Sequence, residues 1–294
     1  MGDFPIIDVV ADLVPTGDRF PDPDYWWGNA LRGALGVALR LMLCQRPKTL
    51  CRSCPAALSC EFPRLFSPER QDGADNRGPR YRLAPWLLDA AVEGRTLRVH
   101  LRLFGPAASD PWRWTSALGV AAARGIGPRK KSFTFAGQPA VHFTSLHGSV
   151  PESPPPAGGP LTLRLLTPLR LVANATPVQG PPSFEGLLAA VERRLRLAHL
   201  CWSDHPLSPR TAAPAKADGV AILHHATRWR DFPRFSRRQR RRMRLGGLVG
   251  DITYGEGWQP WWRVLATAAV LHVGKLTTMG FGKVAFDFDQ KGPG

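Results

Sequence analysis

Three groups of residues in this chain have the types and spacing to do chemistry. The segment His272–Val284, HVGKLTTMGFGKV, sets Gly274, Gly280 and Gly282 among Lys275, Thr277, Thr278 and Lys283. Glycines allow a ligand close to the backbone, and their exposed N–H groups can bind phosphate oxygens. A nucleotide P-loop needs Gly-x4-Gly-Lys-Ser/Thr, but Ala269 and Leu276 stand at two of those positions, so that motif is rejected. Upstream, Arg237, Arg238, Arg240, Arg241, Arg242 and Arg244 fall within eight residues, with Arg234 just before them. Such a run, held between apolar segments, suits polyanion contact, and as a helix it would offer arginine on several faces. The third group is Cys44, Cys51, Cys54 and Cys60, spaced C-x6-C-x2-C-x5-C. Four thiols at this spacing could hold a structural zinc. An iron–sulfur cluster and unligated cysteines are the alternatives. In each case the cluster would close the loop after the first helix.

Charge narrows the partner. The chain has 39 Lys+Arg against 23 Asp+Glu, a formal +16, and only seven of the 39 are lysine. A surplus of this size points to nucleic acid, and the arginine fork suits phosphates and base edges. A second basic run, Arg129–Lys130–Lys131, follows the Gly125-Ile126-Gly127 segment and is a further expected RNA contact. No apolar run reaches the roughly 18 residues that span a bilayer. The first residues carry Asp3, Asp8 and Asp12 without the basic flank of a signal peptide. The expectation is a cytoplasmic protein with no membrane partner.

The elements that must position these groups fall into two halves. Residues 151–160, PESPPPAGGP, cannot continue a helix or a sheet interior. They divide a domain at 1–150, with the four-cysteine insertion, from a domain at 161–294, with the arginine run and the glycine-rich loop. In the first half, residues 5–14 read as a strand and 24–45 as a helix with Trp27, Leu31, Leu35, Ala38 and Met42 at helical spacing. Strands near 79–87 and 95–105, a helix at 110–124 and one or two strands in 131–146 follow. In the second half, strand 161–172, helix 184–202, strands in 220–232 and 245–254, helix 259–273 and strand 283–288 repeat the order. Both halves read βαββαβ, so the expected class is α+β, two tandem ferredoxin-like (RRM-like) domains.

With this organisation, the chain resembles the pre-crRNA-processing endoribonucleases of the RAMP superfamily of CRISPR-associated proteins. The glycine-rich loop before the last strand carries the resemblance, together with PRFSRRQRRRMRLGGLVGDITY (233–254). RGALG (32–36), the cysteine cluster, GIG (125–127) and TPLRL (167–171) add to it. The density of arginine is more like the arginine-rich variant that serves type IV CRISPR systems and holds the stem-loop of its repeat RNA. The resemblance implies an endoribonuclease of CRISPR RNA maturation. It would bind the repeat hairpin through Arg129, Lys130, Lys131, Arg234, the arginine run and the residues of the glycine-rich loop. It would cut without a metal cofactor, leaving 2′,3′-cyclic phosphate and 5′-OH ends, retain the product, and pass it to other CRISPR effector subunits.

Cleavage by the substrate's own 2′-OH needs proton transfer and stabilisation of a phosphorane. His is the natural acid–base at neutral pH, and Arg or Lys supplies charge. The family often places a catalytic His in or near helix one, and this chain has none before His100. Helix one offers Arg32 and Arg40 instead, on the side away from its apolar stripe, with Gly28, Gly33 and Gly36 keeping it slim enough for RNA to approach. Arg32, Arg40, Arg242 and His272, the last beside the glycine-rich loop, are therefore the catalytic candidates. The missing early His keeps open a non-catalytic, crRNA-binding RAMP subunit. The aromatic strand motif of a generic tandem-RRM protein is absent, and most of the ten Trp read as core or domain-interface residues.

Overall fold

The computed structural model describes residues 3–18, 21–57, 59–66, 68, 83–127, 129–154, 158–203, 219–236 and 241–288, with the backbone alone at 52, 234–236 and 241–244. The chain divides into two compact units, one of residues 2–145 and 197–206, the other of 146–196 and 207–294.

The N-terminal unit is built on β1 (Pro5–Pro15), α1 (Trp27–Leu43), a short α2 (Glu61–Phe66), β2 (Trp86–Glu93), β3 (Thr96–Phe104), α3 (Pro111–Arg124), β4 (Phe133–Phe135) and β5 (Ala140–Ser145). Its antiparallel sheet runs β2-β3-β1-β4, with β5 also pairing to β1. Strict alternation makes the strands. Ile7, Val9, Ala11 and Leu13 of β1 and Leu97, Val99, Leu101 and Leu103 of β3 are buried, while the residues between them are polar or charged at most positions. Helices α1 and α3 cover the apolar face with Trp27, Leu31, Leu35 and Ala38, and with Trp114, Ala117, Leu118 and Ala121. Asp110 starts α3 by accepting the Arg113 N–H, with Pro111 at the first position.

The C-terminal unit repeats the plan. It comprises α4 (Leu146–Ser149), β6 (Leu161–Leu169), the short β7 (Val172–Ala173) and β8 (Thr176–Pro177), α5 (Phe184–Trp202), β9 (Ile222–His225), β10 (Arg228–Ser236), β11 (Arg241–Tyr254), α6 (Trp262–Leu271) and β12 (Val284–Phe288). Its sheet runs β10-β11-β6-β12, with β9 on β11. Counting only the βαββαβ elements, this is the same spatial order as in the first unit, so the class is α+β with two ferredoxin-like folds. The last turn of α5, from Leu197, counts with the N-terminal unit. There Trp202 stacks on Phe104 with centroids 4.5 Å apart. Among the described residues no helix is long and apolar enough to cross a membrane.

Two expectations are corrected. The second strand lies at Trp86–Glu93 rather than near 79–87, because Glu93 pairs with Thr96 across a Gly94–Arg95 turn and sets the register back from there. The arginine run is not helical where it is described. Arg241, Arg242 and Arg244 lie on β11, opposite Ser236, Phe235 and Pro233, as the β10–β11 ladder continues to its tip. Arg237, Arg238 and Arg240 lie outside the described residues, and Arg234 lies on β10.

The polar face of the first sheet is neutralised by its own ion pairs. Asp8 accepts two hydrogen bonds from Arg102, at 2.7 and 2.9 Å, and His100 Nε2 lies 2.9 Å away. Arg98 pairs with Asp12 and Glu93. Burial alone would raise the Asp8 carboxyl, but the bonds and charges of Arg102 and His100 outweigh it and hold Asp8 well below the usual carboxylate range. A depressed carboxyl stabilises the fold above its unfolded value near 4 and loses that contribution as pH falls. Asp8→Asn is expected to cost about 1.5–3 kcal/mol at pH 7, the worth of hydrogen bonds to charged groups. The gap to the parent should begin to narrow below about pH 4 and narrow further as the pH falls toward the depressed value of the folded state. Denaturant titrations across that range check both.

Candidate functional site

The glycine-rich loop follows α6. Its ends are stitched to each other and to the end of β6. Val273 N–H donates to Gly282 O at 2.8 Å, Gly282 N–H to Pro168 O at 3.0 Å and Lys275 N–H to Arg170 O at 2.9 Å. Thr167 and Lys283 exchange two further bonds, Lys283 N–H to Thr167 Oγ1 at 2.8 Å and Thr167 N–H to Lys283 O at 3.2 Å. Between them a single 3-10 turn, Thr277–Met279, is closed by Met279 N–H and Gly280 N–H on Leu276 O and Thr277 O. TPLRL (167–171) is therefore the floor of the loop.

The glycines do something other than expected. The N–H groups of Gly280 and Gly282 are committed to carbonyls inside the protein, so they do not serve as the amide cradle for a phosphate. Their task is conformational. Gly274, at φ 81°, passes so close to Arg170 that a Cβ would lie 2.4 Å from its carbonyl oxygen. At Gly282, φ 79°, a Cβ would lie 2.0 Å from Val273 O. The charge at the loop comes from side chains. Lys275 is exposed and Lys283 half-buried. The Lys275 ammonium is lowered by partial burial and then by Arg193 and Arg194 of α5. Thr278 is half-buried, whereas Thr277 is only 7% exposed and its Oγ1 accepts from Arg194 at 3.0 Å.

His272 caps α6 with a left-handed backbone, φ 56°, and is only 6% exposed, so it is a buried residue at the start of the loop.

Two arginines at this site were not picked out from the sequence. Arg170 donates to Gly246 O at 2.6 Å and lies over the Trp229 ring at 5.7 Å. Arg194 donates to Leu271 O and Thr277 Oγ1. The signal for Arg194 was present: Val191, Arg194, Leu195 and Ala198 share the apolar spacing of α5, and an arginine at a core position needs a reason.

In the N-terminal unit the candidates of helix one have local partners. Arg32 is half-buried with its guanidinium 4.8 Å over the Phe66 ring. Arg40 donates to Pro47 O at 3.0 Å and Thr49 O at 2.8 Å, so it fastens the loop that follows its own helix. Gly36 does not open the helix to a ligand. A Cβ there would lie 2.6 Å from Phe66, so the glycine admits α2, while Gly33 faces open space. The cysteines surround this loop. Cys44 N–H donates to Arg40 O, and Cys54 N–H to Cys51 O. Burial raises the Cys51 thiol, Arg40 lowers it, and Cys44, Cys60 and Cys54 raise it further, so the four lie within electrostatic reach. Yet among the described residues no three Cys, His, Asp or Glu side chains converge as a metal ion requires. Arg40 fastens the loop that the four cysteines flank, and Cys44, Cys51, Cys54 and Cys60 remain the residues expected from their spacing to hold a zinc. Lys131 bridges to Ile126, Lys130 takes a left-handed backbone, and Arg129 and Lys130 are exposed.

Comparison with known proteins places this geometry. Residues 163–284 match the family described as the CRISPR-associated endoribonuclease Cas6, and residues 17–145 match a family described only as an N-terminal domain. That match thus runs from the first strand of the C-terminal unit through the glycine-rich loop to Val284. Among solved structures, a Cas6 product complex is similar over 97% of this chain and 99% of that chain, with TM-score 0.57 at 17% identity. Thermus thermophilus Cas6 is similar over 98% and 100%, with TM-score 0.56 at 16% identity. A partial Cas6–RT–Cas1–Cas2 complex is similar over 99% of this chain and 47% of that chain, with TM-score 0.51 at 14% identity. No curated protein matches the chain. At these identities the structures speak for the fold.

The loop geometry makes its own prediction. Gly282→Ala is expected to cost at least about 1–3 kcal/mol, from left-handed strain and the contact with Val273 O. Gly180→Ala, where a Cβ meets open space, should stay within about 0.5 kcal/mol of the parent. Chemical denaturation of the two variants side by side measures the difference.

Proposed function

We propose that this chain, which carries a Cas6 domain over residues 163–284, is the endoribonuclease that matures CRISPR RNA by binding the stem-loop of a repeat in the precursor and cutting beside it. The coincidence of that domain with a cationic loop carries the reading. Arg193, Arg194 and Lys275 share one electrostatic neighbourhood, Arg170 floors the same loop, and the whole chain holds a surplus of +16. Phosphate contacts of this kind supply much of the affinity for RNA and make it fall with salt. Arg129, Lys130, Lys131, Arg234, the run from Arg237 to Arg244, Lys275, Thr278 and Lys283 are the proposed RNA contacts.

The proposed reaction needs no metal. The 2′-oxygen of the nucleotide before the cut loses its proton and bonds to the adjacent phosphorus. The bond from phosphorus to the 5′-oxygen breaks, and that oxygen takes up a proton. The products are a 2′,3′-cyclic phosphate and a 5′-OH. Guanidinium groups, with pKa above about 12, are poor bases, so Arg32 and Arg242 are assigned to charge stabilisation and in-line placement. Arg40 is assigned to the loop that it fastens. Rate then comes from geometry, turnover is essentially single, and the product stays bound for delivery to other CRISPR proteins. One observation favours a second reading, an RNA-holding subunit without catalysis: no His precedes His100, and His100 itself is paired to Asp8.

A cleavage assay on an end-labelled repeat hairpin in EDTA, beside a hairpin with a single 2′-deoxy at the cut, separates the two. The expected outcome is cleavage in EDTA that the 2′-deoxy abolishes. Tight binding with both RNAs intact would establish the holding subunit. In single-turnover assays on folded variants, Arg32→Ala and Arg242→Ala are expected to slow cleavage by at least tenfold, the low end for loss of one transition-state contact. His272→Ala should slow it less, and the opposite order would reject the arginine assignment.

A further inference from the structure

We propose that Arg194 is a positioning residue for the glycine-rich loop, and that a phosphate of the bound RNA supplies the counter-charge which the fold leaves out. The inference rests on the loop being an RNA interface and adds to it a residue that touches no RNA.

Arg194 occupies an apolar position of α5 and is 7% exposed. Its Nε donates to Leu271 O, the last residue of α6, and one terminal nitrogen donates to Thr277 Oγ1 in the 3-10 turn. One side chain thus ties the start of the loop to its middle, across the segment that carries Lys275. Both acceptors are neutral, and among the described residues no carboxylate forms an ion pair with Arg194. Burial pushes the guanidinium down to about 10. It is still charged at neutral pH. A buried cation without an anion weakens a fold.

A purely structural tie would not need the charge. A neutral donor could bond a carbonyl and a hydroxyl as well and avoid that cost. What the charge adds is a field. In a low-dielectric interior it reaches the loop surface with little screening, where Arg193 and Lys275 already add to it. An anion seated on the loop would be attracted by all three, and its arrival would relieve the cost that the empty fold carries. The same field explains why the loop can bind phosphate with several of its own N–H groups turned inward.

The test uses the full chain and a repeat-hairpin RNA, with affinity measured by fluorescence anisotropy over a range of salt and cleavage measured at saturating enzyme. Arg194→Met is expected to weaken binding tenfold or more and to make log affinity fall less steeply with log salt, since one charge of the field that attracts phosphate is gone. Arg194→Lys, which keeps the charge but not the fork, should regain the slope while cleavage at saturation remains several-fold slow. Arg194→Met with unchanged affinity and slope would overturn the inference, whatever its melting temperature. Thr277→Val covers the case in which Arg194→Met does not fold. It leaves the charge in place, so the salt slope should hold while the saturated rate falls. An unchanged rate would overturn the positioning role. If the parent protein itself does not bind the hairpin, the reading of the loop as an RNA interface falls, and this inference with it.

Discussion

The C-terminal unit depends on one close approach. The backbone at Gly274 and Gly282 runs against the carbonyls of Arg170 and Val273 at distances that leave no room for a Cβ. That approach goes with three backbone bonds and one threonine hydroxyl bond between the loop and its floor, and with the Val273–Gly282 bond that closes the loop on itself. Had the glycine N–H groups been left open, the loop would be an amide cradle of the kind that helix termini and nests provide. Here those of Gly280 and Gly282 are consumed in holding the loop still, and Arg170, Arg194 and Lys275 supply the positive charge around it.

The two units share a strand order, and each sheet carries ion pairs of its own, Arg164–Asp287 in the second, but the surroundings of the glycine-rich loop differ. In the first sheet, Asp8 is held between Arg102 and His100, and Asp12 and Glu93 answer Arg98. That face is close to neutral within itself. Around the loop of the second unit, Arg170 and Arg194 satisfy their donors with carbonyl and hydroxyl oxygens, which carry no compensating charge. The surplus visible in the composition is thus not spread evenly over matching surfaces. One part is internally balanced, while at Arg170 and Arg194 the acceptors among the described residues are neutral.

How much of this was legible in the sequence depended on whether the property was local. Helix 184–202 lies where its apolar spacing and length put it, and the repeated βαββαβ order emerged from alternation and glycine-rich turns. The misplacement of the second strand had a register cause, since the Gly94–Arg95 turn is set by pairing with β3. Arg241, Arg242 and Arg244 come from a run with helical propensity, but pairing with β10 overrides it, and propensity alone does not show which segment a strand will pair with. His272 looked available because it adjoins a glycine-rich segment, yet burial is a property of what covers a residue. The cysteine spacing suited a metal, while the path of the loop follows Arg40, whose partners at Pro47 and Thr49 no spacing rule marks. Arg194 is the opposite case: its oddity was written in the helical pattern, and only its partners were hidden.

The contact between Gly36 and Phe66 carries a consequence for inheritance. A methyl group at position 36 would sit 2.6 Å from two carbons of the Phe66 ring, which itself stacks on Trp86 and lies under Arg32. The two positions therefore cannot drift independently. A descendant that acquires a side chain on the helix must shift the ring on α2 or give it up, and so disturbs the surface on which Arg32 rests. Glycine at one site and an aromatic at the other, separated by 30 residues of chain, form a single inherited character, and aligned relatives should lose or keep them together.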